Sequence, residues 1–173
     1  LCADEENVRQ KLDQFLKERN FEVIEYEEGF TSCYEPSFCP EVHFNGIKAF
    51  LVGDAGFQVK MTTVGGTFTG FWGAFVTSRA ISENRSLKEL YKNLKREMDI
   101  HFYIRKVLSK MNNDEYDRLL LKVSKKLKSI FYHLSRDRAR KFFFQMLLKE
   151  PYLLYLGMRK LLSREENGEW INE

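Results

Sequence analysis

Proline and cysteine each occur only three times in 173 residues. No proline lies between Pro40 and Pro151, so nothing in that span forces a helix to break. The cysteines, Cys2, Cys33 and Cys39, are odd in number and show no C-x-x-C spacing, which excludes both a disulfide framework and a zinc ribbon. A bridge from Cys33 to Cys39 would close so short a loop that chain entropy supplies only about 2 kcal/mol. With His43 the two thiols form a C-x5-C-x3-H series that lacks a fourth ligand. A reduced, intracellular protein is the expectation, although a chain that begins at Leu1 leaves the compartment open.

Long apolar runs are missing as well. The longest uncharged stretch, MTTVGGTFTGFWGAFVTS, carries four glycines and several threonines, so it reads as β-strands and not as a transmembrane helix. No Gly-x-Ser-x-Gly or zinc-protease motif occurs. GGTFTG lacks the Lys and Ser/Thr of a phosphate-binding P-loop and falls, on this reading, inside a hairpin.

Aromatic residues are abundant by contrast, 14% of the chain and mostly its 15 Phe. With 43% hydrophobic residues, the chain can bury a core without staples. The net charge of +3 conceals a split: residues 1–85 hold 8 Lys and Arg against 13 Asp and Glu, and residues 86–173 hold 20 against 12. An acidic first half and a basic second half either attract each other or leave the basic half for an anionic partner.

The periodicities predict an α+β fold in two packed parts, residues 1–85 and 86–173. DEENVRQKLDQFLKER predicts a helix over about 4–19, and FEVIEYEE a strand. Asn45-Gly46, between EVHF and IKAFLV, predicts a two-residue hairpin turn that pairs Glu41 with Phe50 and Phe44 with Ile47. IKAFLV, apolar on both sides, is expected at the centre of a sheet. Gly65-Gly66 predicts a second hairpin, with Trp72 facing the core. Together these make an antiparallel meander of four or five strands.

From Ser86 onward about four helices are expected. Ser86-x-x-Glu89 and Asn112-x-x-Glu115 read as capping boxes, Ser135 as a third cap, and Pro151 as the start of an apolar helix over 152–162 suited to self-association.

Two functional readings follow. The leading one is a non-enzymatic interaction or regulatory protein whose basic helical half docks an anionic partner: nucleic acid, an acidic protein surface or an anionic membrane. Its candidate residues are Arg118, Lys122, Lys125, Lys126, Arg138, Arg140 and Lys141, with Phe142, Phe143 and Phe144 as a candidate stacking platform. The alternative is a Mg²⁺-dependent nuclease with Glu41, Asp54 and Lys60 in a degenerate site, Pro40-Glu41 and Gln58-x-Lys60 standing for its signature. The expected meander separates Glu41 and Lys60 by two strand spacings, roughly 9.5 Å. Gln58 also lacks the charge of a metal ligand. His43, His101 and His133 show no spacing for joint ligation.

Overall fold

The computed structural model describes residues 8–123 and 139–163. They belong to two compact units, one ending at Phe30 and the other beginning at Thr31.

In the first unit, helix α1 (Val8–Glu18) is followed by a segment without regular secondary structure. The strand expected over FEVIEYEE is therefore corrected, and side chains explain the segment's course. Tyr26 donates to Asp13 at 2.7 Å, Arg9 lies 4.4 Å above the Tyr26 ring, and Arg9 pairs with Glu28 at 3.0 Å. The segment is held to α1 by polar side chains instead of a backbone ladder.

The second unit opens with the hairpin of β1 (Glu41–Phe44) and β2 (Ile47–Phe50). Its register is the expected one, Glu41 opposite Phe50 and Phe44 opposite Ile47. Asn45 and Gly46 carry the positive φ of the turn, 48° and 80°. The meander, however, ends there. Among the described residues the sheet has two strands, and β2 is largely exposed instead of central. A 3-10 turn, Gly53–Gly56, follows.

The second expected hairpin is replaced by helix α2 (Thr67–Ser82). Its buried residues, Thr69, Gly73, Val76, Thr77 and Ala80, form one helical stripe of small side chains. That stripe lets α2 approach helix α3 (Leu87–Ser109) closely. Between them lies the main core of Tyr34, Val76, Ala80, Leu87, Tyr91, Leu94 and Met98, with Trp72 half-buried against it. Leu87, Leu94 and Met98 are fully buried, and each stabilises the fold by about 1.5–3 kcal/mol. Tyr34, in the irregular stretch before β1, is tied to α3 by donating to Asp99 at 2.6 Å, and Lys95 donates to the same carboxylate at 2.8 Å.

Three further helices complete the described chain: α4 (Asn113–Lys122), α5 (Ala139–Lys149) and α6 (Tyr152–Leu162). The capping box at Asn112 and Glu115 forms in full, whereas Ser86 makes no side-chain cap on α3. Pro151 is the N-cap of α6, and the helix begins at Tyr152. A smaller apolar cluster around Leu153 gathers Leu119, Phe142, Met146 and Leu147. The expected cap at Ser135 lies outside the described residues. Among the described residues, no helix is long and apolar enough to cross a membrane.

Candidate functional site

The Gly65-Gly66 pair, expected inside a hairpin, stands at the start of a helix. Gly66 is the N-cap of α2 and offers no side chain to its first amides, which also lack acceptors within the helix. The 3-10 turn packs against this end. A Cβ on Gly66 would lie 3.3 Å from Asp54 Oδ1, and one on Gly70 would lie 3.4 Å from Gly53 Cα. Two glycine-bearing backbone segments thus come together at the positive end of a 16-residue helix.

The connecting loop is built by its own constraints. Phe57 and Val64 hold φ values of 53° and 52°, uncommon for an aromatic and more so for a β-branched residue. Lys60 and Gly65 bridge the loop, and Thr69 donates to the Gln58 carbonyl. Gln58 is fully buried, and its Oε1 accepts from the Gly53 amide at 2.8 Å. A Cβ on Gly73 would overlap that side-chain amide. Gln58 therefore fixes the turn to the middle of α2 and is a positioning residue. Beside it, burial pushes the Tyr91 hydroxyl up to about 12, while the Gln58 side chain acts in the opposite sense. Lys60 is mostly buried, with its ammonium 5.9 Å from the centre of the Phe68 ring in the first turn of α2.

Of the three residues of the nuclease reading, Asp54 and Lys60 both lie beside the Gly65-Gly66 pair: a Cβ on Gly66 would be 3.3 Å from Asp54 Oδ1 and one on Gly65 3.8 Å from Lys60 Cε. Glu41 is engaged within its own hairpin, by Lys48 at 2.9 Å and His43 at 3.1 Å; the Lys48 contact is the first cause holding its carboxyl below the usual range. Asp54 is exposed in the glycine turn. Among the described residues, no group of three or more His, Cys, Asp or Glu could hold a metal ion. Cys33 and Cys39 are exposed free thiols. His101 is buried against Thr62, its Nδ1 2.6 Å from the hydroxyl oxygen, and His133 lies outside the described residues.

Of the basic candidates, Arg118, Arg140 and Lys141 are exposed. Lys122 is drawn into the fold: its Nζ lies 3.2 Å from the buried Glu150 carboxylate and 4.5 Å above the Tyr152 ring. Lys125, Lys126 and Arg138 lie outside the described residues. One ionic cluster had no signal in the sequence. Buried Glu115 pairs with Lys160 at 2.6 Å and Arg159 at 2.9 Å, joining α4 to α6. The capping motif identified Glu115 as a local cap, but nothing local marked partners some forty residues away.

Two clefts flank α5. One, of about 620 Å³, lies between α2, α3 and α5. The other, of about 360 Å³, runs between α3, α5 and α6 and is almost wholly apolar, with Ile104, Leu108, Phe142, Met146 and Leu156 among its lining. Comparison with known protein families, curated proteins and solved structures gives no match for this chain.

Proposed function

We propose that the chain binds a nucleotide-type ligand, phosphate and sugar together, where the start of α2 meets the Gly53–Gly56 turn. The observation that carries this reading is the uncapped, glycine-built helix start packed against a second glycine turn. Backbone amides at such a place favour an anion, and the absence of side chains lets a phosphate approach the main chain. The Gly53–Gly56 turn is followed by residues 57–66, which return the chain to the start of α2, so that a glycine turn meets a helix start as it does where folds cradle phosphates. In such arrangements a nearby carboxylate takes the sugar hydroxyls. Asp54 is the carboxylate present here, its Oδ1 3.3 Å from the place of a Cβ on Gly66.

The test is the melting temperature of the full chain against ADP, NAD, FAD and inorganic phosphate. A nucleotide at about 100 times its Kd adds about 2.7 kcal/mol of stability, a clear rise. Asp54→Ala should remove the part of the rise that exceeds the effect of inorganic phosphate, and Gly66→Val should remove both. No rise with any of the three nucleotides contradicts the reading.

A second reading keeps the basic helical half as a surface for an anionic partner. Exposed Arg118, Arg140 and Lys141 favour it, while Lys122 is already neutralised by Glu150. A binding slope that flattens in log–log salt plots when Arg118, Arg140 and Lys141 are changed to Gln would support it. Self-association through α6 belongs with this reading, since Leu154, Tyr155, Met158 and Leu162 are exposed on that helix. Sedimentation velocity over a concentration series measures it.

A further inference from the structure

The larger cleft combines the two kinds of group that single-stranded nucleic acid requires. Trp72 of α2, Ile100 of α3, and Phe143 and Phe144 of α5 supply apolar and aromatic surface, and Arg140 and Lys141 supply charge. Trp72 and Phe143 are half-buried, hence held in place by packing, while Phe144 is 64% exposed. The one acid in the lining, Glu97, is already used: its Oε2 accepts from the Arg140 backbone amide at 3.1 Å, in the first turn of α5. Its negative charge therefore answers a helix start, and the two cationic side chains keep their charge for an incoming anion.

We infer that this cleft binds single-stranded nucleic acid, with bases stacked on the aromatic surface and phosphates on Arg140 and Lys141. The inference rests on the second reading above and narrows it to a place and a class of polymer. A stacking surface accepts any base, so recognition is tolerant of sequence. An acidic protein would use the cations but gain little from the rings. Duplex DNA keeps its bases stacked inside, out of reach of the cleft.

The experiment is fluorescence anisotropy of the full chain with labelled oligo-dT and oligo-U, in competition with duplex DNA and with poly-glutamate, over a salt series. Phe144→Ala removes an exposed ring and leaves the core alone. It should weaken oligonucleotide binding about 5- to 150-fold, the range for one stacked base. Arg140→Gln with Lys141→Gln should flatten the log–log salt slope by about 1.4. Circular dichroism of each variant confirms folding.

Oligonucleotide binding that Phe144→Ala leaves unchanged, or that poly-glutamate or duplex DNA displaces equally well, overturns the inference and leaves the anionic-partner reading standing. No binding of any polyanion at low salt overturns both.

Discussion

Gly73 is the position at which α2 tolerates least. Its missing Cβ is the space occupied by the Gln58 amide, and Gln58 in turn holds the Gly53 amide. Gly73→Ala should destabilise the protein by about 1–3 kcal/mol, against the general gain in helix propensity of alanine. Urea denaturation checks this, and Gln58→Ala in the same chain should recover part of the loss. Additive losses would place Gln58 elsewhere. At Glu115 the prediction concerns pH. Lys160 is the first cause that holds this carboxyl below its ordinary value of 4.5. A lowered folded-state value means stability that is present above 4.5 and lost as the pH falls through the lowered value. Glu115→Gln should be less stable than wild type at neutral pH, and the gap should close on acidification below about pH 4. A gap independent of pH would show that the ion pairs do not stabilise the fold.

At the scale of elements, the hairpin of β1 and β2 was legible because its signal is local: Asn45-Gly46 sets the turn and the turn sets the register. The helix α2 was not. Its sequence is rich in Thr, Val and Phe, residues that favour strands, and apolar residues occur all round it, which hides a helical period. What remained was the stripe Thr69, Gly73, Val76, Thr77 and Ala80, a pattern of size and not of polarity. The large side chains Phe68, Phe71 and Phe75 point outward, against the usual order of burial. Once 67–82 is helix, GGTFTG changes from the tip of a hairpin to the start of a helix, which removes the objection of place, while the Lys and Ser/Thr of a P-loop are still missing from it. Phe75→Pro separates the two arrangements. Phe75 is 59% exposed, so little packing is lost, but a proline inside a helix costs about 3 kcal/mol. In the expected hairpin the same substitution would leave the helical circular dichroism unchanged, since position 75 would carry no helical hydrogen bond. The urea midpoint and helical circular dichroism read the difference.

At the scale of the molecule, composition gave the charge split but not the disposition of the charges. Arg118, Arg140 and Lys141 project outward as a solvated or binding face would, whereas Lys122 and Lys160 neutralise buried acids. Helical spacing alone cannot distinguish these fates, because the acids that claim Lys122 and Lys160 sit on other parts of the chain. In the proposed nucleotide site at the start of α2, backbone amides are the donors. The most direct measurement is therefore the amide nitrogen–proton spectrum of the full chain, titrated with ADP, NAD and FAD. Saturable shifts are expected, largest at Asp54, Ala55, Thr67 and Phe68, since the Gly53 amide is already bonded to Gln58, and weakened by Gly66→Val. Amides at these positions that stay unmoved by all three nucleotides would contradict it.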